Sequence, residues 1–289
     1  MKNRKIIYCF LSLTSLLVNK TVAQTGTVIV SARCAIQTAN TYDDPPAGWG
    51  AIQAIHIPLA SGAARFLIVP GVTGGTRPGS NSVTAPLFDA DGGAWANNAV
   101  DISNWSRISG VTDASRTNCL GLMGVFTAGT TTNPPPDRLD VTYLKTNATF
   151  APALYQQFFI GDGLTGRGTG LRQVFYVPDG ATDFHLGFAD AFNFHGGPSY
   201  YYDNVGELNV TYSILTAPQL RITASGANAV NVCWDTASNG VYQLQCRSML
   251  AGNSWSNLST PVGGNGLTNC YTDLQSGQSA RFYRVLVTP

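Results

Sequence analysis

The chain has 289 residues, 44% hydrophobic and only 11% charged, with 31 Gly and 15 Pro. Of its 16 acids all but Glu207 are Asp, and its formal net charge is +1. This composition argues against a helical bundle, a coiled coil or a long disordered region and for an all-β protein rich in turns. The small net charge gives no support to nucleic-acid binding.

Residues 1–23 read as an export signal. Lys2, Arg4 and Lys5 form a basic start, Ile6 to Val18 is largely apolar, and Thr21-Val22-Ala23 offers a small-residue cleavage site. The apolar run is shorter than the ~20 residues a spanning helix needs, so no membrane span is expected after cleavage. A retained N-terminal anchor is the alternative. The segment holds four bases and no acid, so residues 24–289 carry 13 bases against 16 acids, a net charge of −3. Five cysteines remain: Cys34, Cys119, Cys233, Cys246 and Cys270. Export permits disulfides, and no C-x-x-C or Cys/His pairing points to zinc.

Short apolar runs broken by turn residues predict a sandwich or barrel. In chain order they are 27–32, 54–59, 65–69, 120–126, 139–144, 156–160, 172–177, 184–189 and 207–214. Gly71 to Asn104 reads as one long loop, which in a compact domain is usually functional or disordered. A boundary is expected at Ala217-Pro218, giving a signal at 1–23, a first sandwich at 24–216 and a second at 217–289. In the second, Val230, Val232 and Trp234 alternate onto one face, as do Tyr242, Leu244 and Cys246.

Three constellations stand out. Gly161-Asp162-Gly163-Leu164-Thr165-Gly166 matches G-x-G-x-x-G, but Arg167-Gly168-Thr169-Gly170 cannot comfortably start the helix that a nucleotide site requires. A glycine-rich connection between strands is expected instead. Asp89 and Asp91 have calcium-loop spacing without the downstream Glu, which suggests a solvated turn. The 190–206 segment gathers Asp190, Asn193, Asp203 and Asn204 with Phe192, Phe194, Tyr200, Tyr201 and Tyr202. Ca²⁺ takes six to eight such oxygens, and exposed aromatics beside hydroxyl-binding groups suit a sugar. The alternative is a turn whose polar groups cap its own backbone. His56, His185 and His195 are scattered and match no catalytic motif, and His56 and His185 read as sandwich residues.

Phe188-Ala189-Asp190, with Asp203-Asn204-Val205-Gly206-Glu207-Leu208-Asn209-Val210, resembles the calcium-and-sugar loop of the PA-I type galactophilic bacterial lectins. That resemblance implies a jelly-roll-like sandwich. It also implies one Ca²⁺ held by Asp190, Asp203, Asn204 and the backbone of Gly75 and Tyr200. Sugar contacts are implied for Asp190, Asp203, Phe192, His195 and Tyr201. The loop is longer than the family's, the first residue of its amide pair is Asp203, and the family's His-Pro-x-Gln motif is replaced by Phe88-Asp89-Ala90-Asp91-Gly92-Gly93. From Pro218 onward, Cys233-Trp234, Tyr242-Gln243-Leu244-Gln245 and Arg281-Phe282-Tyr283-Arg284 resemble a fibronectin type III-like module. If 268–273 lies beside 229–234 as in that fold, Cys233 and Cys270 are the first choice for a bridge, ahead of Cys246 and Cys270.

The expectation is an exported, bacterial, non-catalytic carbohydrate-binding or adhesion protein, secreted or at the cell surface or in the periplasm. Its partner would be a carbohydrate or surface glycan, not nucleic acid. Two alternatives are a structural envelope or matrix protein whose calcium only stiffens a loop, and a secreted glycoside hydrolase built on two Asp residues.

Overall fold

The computed structural model describes residues 24–40, 45–60, 65–79, 85–95, 99–115, 117–226, 228–236, 240–249, 254–274 and 281–288. The expected export signal lies outside them. Gln24–Ser31 alternates in exposure until Val30 enters the core, as period-2 patterning requires. It pairs antiparallel with Val205–Thr216, which pairs in turn with Arg65–Arg77. Val174–Val177 and Thr149–Phe150 complete a five-stranded sheet, the last pair parallel. A second, antiparallel sheet orders Phe158–Phe159, Met123–Thr127, Asp183–Gly187 and Ile55–Pro58. Val30, Leu67, Val69, Leu208 and Val210 share one core with Phe126, Phe158, Phe184 and Leu186. The chain is an all-β sandwich.

Two segments depart from the sequence expectation. The supposed long loop begins as strand, because Arg65–Arg77 runs through its glycines. At Gly74, with φ +99°, a Cβ would lie 2.4 Å from the Glu207 carbonyl oxygen, so glycine serves close strand approach there. The expected strand 139–144 is a two-residue strand, Leu139–Asp140, followed by a helix, Val141–Thr146. Asp140 caps that helix by accepting from the Thr142 N–H at 2.8 Å, and Val141 and Leu144, three residues apart, bury one face.

Strands from Leu220 onward pair among themselves. Leu220–Ala224, Ala229–Asp235 and Thr268–Leu274 form one sheet, and Val241–Arg247 pairs with Ser256–Asn257, Val262–Gly263 and Phe282–Thr288 in another. Val232, Trp234, Tyr242 and Leu244 form their core. Cys233 stands opposite Cys270 in register, and a disulfide joins them. Cys34, Cys119 and Cys246 are buried free thiols. Burial pushes the Cys34 thiol up to about 11 and that of Cys119 up to about 12, which makes both poor nucleophiles. Val287 packs both on this core and on Phe66, Ile68 and Leu215 of the five-stranded sheet. Among the described residues no helix is long and apolar enough to cross a membrane.

Candidate functional site

The 190–206 loop is built around a buried polar hub. Tyr201 is wholly buried, and its hydroxyl accepts from the Asp190 N–H at 3.0 Å. The same hydroxyl donates toward Gln37 Oε1 at 2.8 Å, with the Phe188 carbonyl at 3.1 Å. The Asp190 carboxyl is also buried; it accepts from the Ala191 N–H and from Asn204 Nδ2, both at 2.7 Å. Burial pushes that carboxyl up to about 8, against the pull of these two donors. Tyr201→Phe is therefore expected to leave the Asp190 N–H and Gln37 Oε1 unanswered and to cost about 2 kcal/mol in urea unfolding. A variant as stable as the parent would show that the hub is not a structural anchor.

This anchor sets the exposed surface. Tyr201 stacks under Trp49 at 6.1 Å, and Trp49 meets the half-exposed Trp105 edge-on at 5.0 Å. The residues flanking Tyr201 point outward, so Phe192, Tyr200 and Tyr202 form a row with ring centroids 5.0 and 5.5 Å apart. Phe192 and Tyr202 are each 57% exposed, far more than packing aromatics. The backbone beneath is strained: Asn193, Phe194 and Tyr200 all have positive φ. So do Ser106 and Arg107 in the neighbouring Trp105–Ile108 turn. Among the described residues, five of the seven non-glycine residues of this kind lie in these two segments, and such strain concentrates where a surface is held for use. At the rim, His195 Nε2 lies 3.2 Å from Asp101 Oδ2, and Arg138 pairs with the other oxygen of Asp101.

The expected calcium and sugar residues thus divide. Asp190 and Asn204 meet in a hydrogen bond; Asp203 makes none with them, but its charge helps raise the Asp190 carboxyl, and partial burial raises its own. Gly75 sits in the ladder opposite Glu207, and the Asp190 carboxyl contacts Asn204 and Ala191 instead. Tyr201 and Asp190, expected to touch sugar, are too buried to do so, whereas Phe192 and His195 are exposed. Tyr202, one of the loop aromatics but not an expected sugar contact, joins this surface, as does Trp105, a lone Trp in a polar turn that the sequence reading does not single out. Among the described residues no group of three or more His, Cys, Asp or Glu is placed to hold a metal ion. One feature does fit a cation: Asn204 Oδ1 is buried without a partner. Asp190 Oδ2 and the Ala32 carbonyl converge on the same amide at 2.7 and 3.2 Å. Turning that amide over would set three oxygens together, part of the six to eight that Ca²⁺ takes.

Two further clusters complete the polar map. The Asp89 and Asp91 turn is not solvated as a whole. Asp91 is fully buried 2.9 Å from Lys145 Nζ, and Asp89 holds Arg167 through both oxygens at 2.8 and 2.9 Å. The glycine-rich 161–166 segment leads into a hairpin and places the Asp162 N–H 3.3 Å from Asp91 Oδ1. On the other sheet His56 stacks on His185 at 5.0 Å and bonds Asp183 at 2.6 Å. No protein-family model, curated protein or solved structure matches the chain.

Proposed function

We propose that the protein is an exported, non-catalytic carbohydrate-binding or adhesion protein whose sugar stacks on the Phe192, Tyr200 and Tyr202 face. The observation that carries this reading is that row of exposed rings on strained, internally anchored backbone. A pyranose has an apolar face for the rings and a rim of hydroxyls, which the paired His195, Asp101 and Arg138 would bond. Calcium belongs to the same proposal in a changed role. Asp190 and Asn204 would hold it beneath the loop, where burial keeps it from the sugar, so it would brace the rings. That burial is also what favours the second reading, a matrix or envelope protein in which the brace is purely structural.

A glycan array probed with and without EDTA tests both. The parent is expected to give neutral-glycan hits that weaken about tenfold or more in Tyr202→Ala and Phe192→Ala. Absence of any hit from the folded parent would sink the carbohydrate reading. Calcium-dependent stabilisation without hits would favour the structural one.

A further inference from the structure

Beyond residue 216 the charges are few and nearly all accounted for. Residues 217–289 hold four bases, Arg221, Arg247, Arg281 and Arg284, against two acids, Asp235 and Asp273. Arg221 pairs with Asp235 and Arg281 with Asp273. The surplus of +2 therefore rests on Arg247 and Arg284, while residues 24–216 carry 9 bases against 14 acids, or −5. The two surplus cations are not dispersed. Each guanidinium carbon lies 4.4 Å from the ring of the same tryptophan, Trp255, so the charges are at most twice that distance apart.

Strand pairing explains the convergence. Gln245 stands opposite Arg284 on one side and Asn257 on the other, which makes Arg247 the diagonal neighbour of Arg284. Gln245 Oε1 accepts from Arg284 Nε at 2.8 Å, and its Nε2 donates to Asn257 Oδ1 at 2.7 Å, fixing one fork. Arg247 Nε is buried with no partner. Two like charges on one indole repel, and the ring attraction offsets that only in part. A pair of guanidiniums with unused N–H groups and no carboxylate is a receptor for oxyanions.

We propose that the Arg247, Trp255 and Arg284 stack binds an acidic polysaccharide through its carboxylate or sulfate groups. The choice of a glycan rests on the reading above; the anion chemistry does not. In the stack Arg284 is exposed while Arg247 and Trp255 are half-buried, and one such surface ion pair is worth little, so a polymer that presents successive anions suits it better than a free anion. Two cations on a chain that is −3 over residues 24–289 suit sparse anions better than the dense phosphates of nucleic acid.

The test is affinity electrophoresis of the full chain in gels containing polygalacturonate, dextran sulfate, plain dextran or single-stranded DNA. The parent should be slowed by at least one acidic polymer at low salt and released at high salt. Stronger retardation by polygalacturonate assigns the site to carboxylates, and by dextran sulfate to sulfates. Arg284 is exposed, so Arg284→Gln should fold normally and bind about tenfold more weakly, and Arg247→Gln with Arg284→Gln should not bind. Tyr202→Ala should keep acidic-polymer binding even where it loses neutral glycans, so failure of one site is distinguishable from failure of the other. The proposal is overturned if neither acidic polymer slows the parent, or if Arg284→Gln is slowed equally. Plain dextran slowing Tyr202→Ala as strongly as the acidic polymers do, or DNA slowing the parent as strongly, would also overturn it.

Discussion

Lys145→Met is expected to lower the free energy of unfolding by about 3–5 kcal/mol. Asp91 is fully buried, and the ammonium of Lys145, 2.9 Å from its Oδ2, is its counter-charge. Methionine keeps the length and apolar stem of the lysine, including its place near the Phe159 ring, but removes that charge. The carboxylate would then remain in the interior with only the Asp162 N–H at 3.3 Å for support. Urea unfolding at pH 7 measures the loss. Adding Asp91→Asn to Lys145→Met should recover more than half of it, because the cost is the stranded charge and not the missing contact. A single variant within about 1 kcal/mol of the parent would contradict a buried pair.

The second large effect depends on pH. Burial, with His56 stacked alongside, lowers the His185 imidazole to about 4 from its ordinary 6.5. Between those values the unfolded chain takes up a proton that the folded chain refuses, so this contribution is complete above pH 6.5 and lost as pH falls toward 4. At about 1.4 kcal/mol per pH unit the loss approaches about 3 kcal/mol. Burial works to raise the Asp183 carboxyl, but hydrogen bonds from His56 and Thr182 outweigh it and hold it below the ordinary value, so its contribution is lost in still stronger acid. Asp190 acts in the opposite sense, since a raised carboxyl stabilises the fold as pH falls below about 8. The informative quantity is therefore a difference. The gap in stability between the parent and His185→Gln should change by about 3 kcal/mol between pH 7.5 and 4, in the direction that favours the variant in acid. A gap independent of pH would show that His185 titrates normally.

The period-2 pattern made the sandwich legible, since Val230, Val232 and Trp234 or Phe184 and Leu186 alternate in ways a helix cannot use. The Val141–Thr146 helix was hidden because its apolar residues also fit a strand, and only the Asp140 cap separates the two. Glycines at 74 and 75 suggested a loop because a sequence does not reveal that a neighbouring backbone lies within van der Waals reach. The aromatic loop could be singled out, but which of Tyr200, Tyr201 and Tyr202 turns inward depends on Gln37, a residue more than 160 positions away. The meeting of the 89–91 turn with Lys145 and Asp162 has the same origin.

Val287 lies near the carboxyl end and fills space in two cores at once, beside Tyr242 and Leu244 and against Phe66, Ile68 and Leu215. A plain linker at 217–219 would let the terminal strands swing and absorb a pull on that end. Here tension on the last strand also loads the outer face of the five-stranded sheet, so mechanical force crosses the molecule through side chains as well as along the backbone.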